Sequence, residues 1–260
     1  MLTTNIILYG TLALCALVTV WIVKRYDLYD HEPWWLLILA TLLGAGGMNL
    51  AGRVQGLFIA RAIDKHGEAT DLYQAFLAGT VEEGFKFLAV VVIAIAFGWM
   101  GKRWFNEPLD GVVLGSFAGL GAALEESVHV LGQSEPSVFL PPQEPIRLAG
   151  HLVMGGITCF GLGLFTMPGK RKWHVVWAVP VCYVLGSAMH MAWDVVAFAA
   201  AQRVNSDREL LWWQTWVPVA LMLVGLFFYR VMVGWAASLT RFVLQVCDVR
   251  TKVCPPAREM

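Results

Sequence analysis

Apolar runs of roughly 20 residues recur along the whole chain, the length that crosses about 30 Å of hydrocarbon at 1.5 Å of rise per residue. Of 260 residues, 58% are hydrophobic and 15% charged, against about 25% charged in an ordinary soluble domain. The chain therefore reads as an all-α polytopic membrane protein with little left over for a soluble domain. Its net charge is zero. It carries no basic face or Arg-rich tail of the kind that binds DNA or RNA, so nucleic acid is excluded as a partner.

The pattern predicts about seven transmembrane helices, near 5–23, 34–52, 73–97, 109–132, 146–167, 174–200 and 212–235. The first is a retained helix, not a cleaved signal: no basic segment precedes it, and Lys24-Arg25 follows it in place of a small-residue cleavage site. Turn and charge signals put connections at Lys24–Pro33, Arg53–Asp71, Gly101–Pro108, Gln133–Pro145, Pro168–Trp173 and Gln202–Glu209. The second boundary is the weakest, because apolar character persists past Arg53 to Ala60. Pro180 falls inside the sixth span, where neighbours in lipid can satisfy the carbonyl it frees.

Lys and Arg set the orientation. Lys24, Arg25, Lys102, Arg103, Lys170, Arg171, Lys172, Arg230, Arg241, Arg250, Lys252 and Arg258 fall on one side, and Arg53, Arg61, Lys65, Arg147, Arg203 and Arg208 on the other. The imbalance predicts an outside N-terminus and a cytoplasmic C-terminus, with a membrane domain over 1–238 and a cytoplasmic tail over 239–260. Cys15, Cys159 and Cys182 read as small packing residues. Cys247 and Cys254 fall in the tail, where palmitoylation is the alternative reading.

Against this background the informative residues are ionisable groups inside apolar spans, which cost several kcal/mol in a bilayer and are rarely kept without a use. Glu82-Glu83 interrupts the third span, with Lys86 one turn on; Glu125-Glu126 interrupts the fourth, His151 the fifth, and His190 with Asp194 the sixth. On the predicted topology all lie roughly 8–15 Å below the outer surface at the helical rise per residue, so they can meet in one layer. Lys86 is four residues from Glu82 and three from Glu83, so one carboxylate neutralises it along the helix face. An internal ion pair explains that carboxylate and leaves the adjacent one, about 100° round the helix, for the interior. Gly111, Gly115 and Gly119 form a smooth edge suited to close helix packing, which does not explain the glutamate beyond it. Of Glu125 and Glu126 only one can face the site, and His129 reads as an interfacial side chain. His190 and Asp194 share a helix face, so the carboxylate can fix the imidazole tautomer.

Carboxylates and imidazoles in a desolvated cavity suit two arrangements. Glu83, Glu126, His151 and His190 can bind Zn²⁺ while a glutamate takes the proton of the attacking water. Without a metal, a glutamate activates water and the histidines hydrogen-bond the developing oxyanion. No HExxH or other compact zinc motif decides between them, and no Gly-x-Ser-x-Gly supports a serine nucleophile.

These residues resemble the PrsW family of bacterial intramembrane proteases, within the superfamily that holds the CAAX prenyl proteases and Abi proteins. Arg25-Tyr26-Asp27 through Glu32-Pro33-Trp34 is similar to that family's charged loop, and Glu82-Glu83-Gly84-Phe85-Lys86 to its Glu-Glu-x-x-Lys motif. Asp110-Gly111 through Gly119-Leu120-Gly121 to Glu126 is similar to its glycine-rich helix. His151 and His190-Met191-Ala192-Trp193-Asp194 are similar to its two histidine motifs. Glu126-Ser127 stands where the family commonly has Glu-Asn, and the proline-rich stretch between the fourth and fifth spans is individual to this chain. The resemblance implies a protease of the bacterial plasma membrane that cuts a membrane-anchored protein near the extracytoplasmic face. Glu82, Glu83, Glu126, His151 and His190 would be catalytic, supported by Lys86 and Asp194, and the family's description favours a metal.

Two other classes use buried Glu/His groups. A proton-coupled transporter would need acidic groups on both sides of the midplane and inverted repeats, and neither is visible. A catalytically dead scaffold would not need to retain every matching position.

Overall fold

The computed structural model describes residues 2–25, 32–99, 105, 107–133, 140–141, 143–166, 172–205 and 211–246, and among these it is helical with no strand. In chain order the helices are α1 (Leu2–Lys24), α2 (Trp34–His66), α3 (Asp71–Leu77), a π turn (Ala78–Glu82), α4 (Glu83–Trp99), α5 (Pro108–Gln133), α6 (Gln143–Gly163) with a 3-10 turn after it, α7 (Lys172–Asn205) and α8 (Trp212–Val246). Six of these helices are long and apolar enough to cross a membrane. The third predicted span, 73–97, falls on α3, the π turn and α4, which follow one another without a gap.

The end of the second span differs from the sequence reading. The connection expected over Arg53–Asp71 is helical as far as His66, because no proline or turn cluster interrupts it. α2 stops only at Gly67, whose φ of 81° and N–H to Ile63 O form a left-handed C-cap. At 33 residues, α2 is about 50 Å long and outruns the roughly 30 Å hydrocarbon layer. At the other end α8 continues past 238 to Val246. Cys247, Cys254 and most of the charged loop after α1 lie outside the described residues.

α5 is the centre of the bundle, with every residue from Pro108 to Ala123 buried. Its glycine edge explains how. A Cβ on Gly111 would stand 2.6 Å from Cys159 O, one on Gly115 2.4 Å from Gly155 O, and one on Gly119 2.1 Å from His151 O. α6 answers with Gly155 and Gly163, themselves 2.4 Å and 2.2 Å from α5 carbonyls by the same measure. On its other side α5 meets α2, where Gly121 abuts Thr41 O and Gly44 abuts Ala118 O. In lipid, where apolar burial between helices gives little driving force, such backbone contact is what holds helices together. The outer helices show apolar side chains to the surroundings instead, among them Leu14, Leu17 and Trp21 of α1 and Leu223, Phe227 and Phe228 of α8. This is an exterior suited to lipid.

Candidate active site

The predicted polar residues come together from five elements, the π turn and α4 to α7. Glu82 closes the π turn and Glu83 opens α4. Glu126 lies on α5, His151 on α6, and His190 with Asp194 on α7. Glu82, Glu83, Lys86, His151 and His190 are buried. Glu126, at 31% side-chain exposure, and Asp194, at 17%, stand at the more open edge.

The adjacent glutamates have different surroundings. Glu83 is saturated: Lys86 Nζ lies 2.5 Å from Oε1, His190 Nδ1 3.0 Å from the same oxygen, and Thr158 Oγ1 donates to Oε2 at 2.8 Å. Glu82 receives one hydrogen bond, from Gln55 Nε2 to Oε1 at 3.1 Å. Its buried Oε2 has no hydrogen-bond partner and stands 3.4 Å from His190 Nε2. The sequence pattern offered Glu83 as a ligand and left open which glutamate pairs with Lys86. The geometry gives Lys86 to Glu83 and leaves Glu82 in the cluster.

Both imidazoles are held from behind. A carboxylate only accepts, so a ring nitrogen hydrogen-bonded to one carries the hydrogen. His190 Nδ1 thus donates to Glu83, and His151 Nε2, 3.1 Å from Glu126 Oε2, donates to Glu126. The remaining nitrogens are His190 Nε2, which faces Glu82, and the buried and unpartnered His151 Nδ1. The two rings lie edge to face with centroids 5.0 Å apart. Asp194 Oδ2, expected to fix the tautomer of His190, is 3.6 Å from Nε2; Glu83 takes that role at Nδ1. Arg147 sits between Glu126 and Glu144 at 3.6 and 3.2 Å. Glu125 turns away to accept from Asn49 Nδ2 at 3.1 Å, and His129 pairs with Gln133 at 2.9 Å.

Glu82, His151 and His190 each offer a ligand atom, all within 4.8 Å of one another. Two of these side chains also carry a buried polar atom without a partner. Two imidazoles and a carboxylate, with carboxylates behind the imidazoles, fit a zinc-type donor set. The match to known proteins agrees: the model of the PrsW family intramembrane metalloproteases covers residues 32–229. The chain belongs to the PrsW family. It is an intramembrane protease, an integral membrane hydrolase whose substrates are membrane proteins. No curated protein and no solved structure matches it.

The sequence did not point to several residues that shape this PrsW-family site. The π turn ends on Glu82, just before Glu83. Tyr183 on α7 donates to Thr80 O at 2.7 Å within that turn, and Gly79 lets it approach α7, since a Cβ there would stand 2.5 Å from Ser187 O. Thr158 lies seven residues after His151, two turns on and on the same face, a spacing that could have revealed it. Gly186 makes room for its hydroxyl, which a Cβ would meet at 2.0 Å. Gln55 and Tyr183 carry no comparable signal.

Proposed function

We propose that this protein is an endopeptidase of the bacterial plasma membrane that hydrolyses a peptide bond of a membrane-anchored protein near the extracytoplasmic face. Glu82 is the residue that activates water. The observation that carries the reading is the meeting of Glu82, His151 and His190 from the π turn, α6 and α7, with Glu82 Oε2 and His151 Nδ1 free of other hydrogen bonds.

Glu82 Oε2 takes the proton of the attacking water and later returns it to the leaving amine, the general acid–base role. Gln55 holds the other carboxylate oxygen and so fixes which lone pairs face the substrate. Glu126 and Glu83 hold the imidazoles by their N–H groups, so the lone pairs of His151 Nδ1 and His190 Nε2 face inward, as metal ligands must. His151 and His190 would hold a zinc ion beside Glu82, which stays free to act as the base; when bound, the ion would supply Lewis-acid polarisation of the scissile carbonyl. Lys86 neutralises Glu83, so of the adjacent pair it is Glu82 that carries the uncompensated carboxylate.

The test compares new protein termini in membranes expressing wild type or Glu82→Gln. Termini near the outer ends of single-pass helices that appear only with wild type are the expected result. No difference, with both proteins folded and a broad set of membrane proteins present, would overturn the reading. Treating the purified protein with a strong chelator tests the zinc reading. Loss of activity together with about one zinc ion per chain, restored by zinc, is expected; full activity of metal-free protein would leave Glu82 as the acid–base group without a metal.

A further inference from the structure

Gln55 and Glu82 join α2 to the end of the π turn. Between that contact and Gly67 the facing sides of α2 and α3 leave a cavity of about 520 Å³. Its α2 wall carries Phe58, Arg61, Lys65 and His66, its α3 wall Tyr73, and the link between them Glu68. None of the catalytic cluster lines it. Arg61 and Lys65 are four residues apart and share a helix face with Phe58 and Gln55. Two fixed cations thus stand against one carboxylate, with aromatic rings on both walls. Asp71 is turned aside and accepts from Gln202.

The position of the cavity gives it meaning. Phe58 and Lys65 lie three and ten residues past Gln55 on one continuous helix, about 5 and 15 Å along its axis. Tyr73 precedes Glu82 by nine residues, about 14 Å on the opposite wall. An extended peptide advances about 3.3 Å per residue. A chain whose scissile bond stands at Glu82 therefore enters the cavity with residues roughly two to five positions away.

We propose that the cavity is a substrate subsite that selects acidic residues in the juxtamembrane segment, roughly two to five positions from the scissile bond. The proposal rests on the proteolytic reading and adds the substrate class to it. An anionic lipid headgroup would satisfy the same cations. The walls, however, are the two elements that meet at Glu82, so a resident lipid would lie in the substrate's path, whereas a peptide there is already aligned with the carboxylate. Because Arg61 and Lys65 are exposed, each pair they form is weak and acts as a selectivity filter more than as an anchor.

The experiment uses full-length Glu82→Gln protein in phosphatidylcholine nanodiscs, so that binding is read without cleavage. The probes are single-pass helices of identical sequence except for juxtamembrane residues that are Asp/Glu, Ser/Gly or Lys. The acidic helix is expected to bind about five- to tenfold more tightly than the Lys helix, the size two exposed charge pairs allow, with the difference shrinking in high salt. Arg61→Glu/Lys65→Glu should invert the order, and Arg61→Gln/Lys65→Gln should level it. The same order of binding in all three proteins overturns the proposal. So does retention of added phosphatidylglycerol that is lost in the charge-reversed protein while the probe order is unchanged, which would assign the cations to a headgroup. Sorting by charge by a chain that cleaves nothing would sink the protease reading alone; cleavage without sorting would sink the subsite alone.

Discussion

The two halves of the candidate site are held by different means. Glu126 and His151 ride on α5 and α6, which meet backbone to backbone, and the contact of Gly119 with His151 O lies at the candidate histidine itself. Glu82, Glu83 and His190 ride on the π turn, α4 and α7, where beyond the contact of Gly79 with Ser187 O side chains do the holding: Lys86 and Thr158 on Glu83, Gln55 on Glu82, and Tyr183 on the π turn. The first half has no tolerance for added volume, and its geometry follows from the fold. The second has room for conservative substitution, and its geometry depends on particular polar groups. Volume changes should therefore destroy the first half together with the protein, whereas polar deletions in the second should separate activity from stability.

The largest effect belongs to the seam. Gly119→Leu places a side chain where a Cβ alone would stand 2.1 Å from His151 O. Backbone must move apart, beyond the usual overpacking cost of about 1–3 kcal/mol. No folded protein should be recoverable by gel filtration in detergent. Gly132→Ala, with nothing within 4 Å of the new Cβ, should behave as wild type. A stable, active Gly119→Leu would remove the basis of the comparison.

Next comes the difference between the glutamates. Glu83→Gln leaves Lys86 buried without its counter-charge, which costs about 3–5 kcal/mol, and removes the partner of His190. Both thermal stability and cleavage should fall. Adding Lys86→Met should restore much of the stability and none of the activity. Glu82→Gln leaves the buried Lys86–Glu83 pair intact and should leave the unfolding temperature near wild type while cutting turnover by about 10²–10⁴. Equal destabilisation by Glu82→Gln and Glu83→Gln would show that the two carboxylates share one structural role.

Thr158→Val tests the same side with a smaller change. It withdraws the hydroxyl from Glu83 Oε2 and leaves a buried carboxylate oxygen one partner short, a cost of about 1–3 kcal/mol. Thr158→Ser keeps the donor and should recover both stability and turnover, measured side by side. Failure of serine to rescue would mean that Thr158 matters for its methyl group.

The fold was legible in outline because membrane spans announce themselves by length, and because glycines spaced by four predict a packing edge before any partner is known. The end of α2 was misplaced for the complementary reason. Arg53 and Arg61 look like loop residues, yet nothing between them breaks a helix, and Gly67 is the first residue to adopt a left-handed conformation. Glu82, His151 and His190 were visible because lipid makes ionisable groups conspicuous. Which glutamate serves Lys86 was not, since i+3 and i+4 spacings are both competent on a regular helix and a π turn ending on Glu82 resets the angle between the two. Gln55, Thr158 and Tyr183 are polar residues of ordinary type, given roles only by which helices the seam brings alongside them.

Tyr183→Phe should have the smallest effect and tests most directly whether side chains set the second half of the site. A π turn pairs backbone groups with a wider offset than the flanking α-helix, a feature often found at functional sites. Here Thr80 O accepts from both Glu83 N–H and Tyr183 Oη. Removing the phenol should cost about 1 kcal/mol, the net value of one hydrogen bond, and barely move the unfolding temperature. If the tyrosine positions the turn, turnover should fall about tenfold, since small displacements of catalytic groups are expensive, while KM stays near wild type because the cleft between α2 and α3 is untouched. Equal loss in stability and turnover would make Tyr183 a packing residue, and the π turn would then be held by Gly79 against α7, in the manner of the glycine seam.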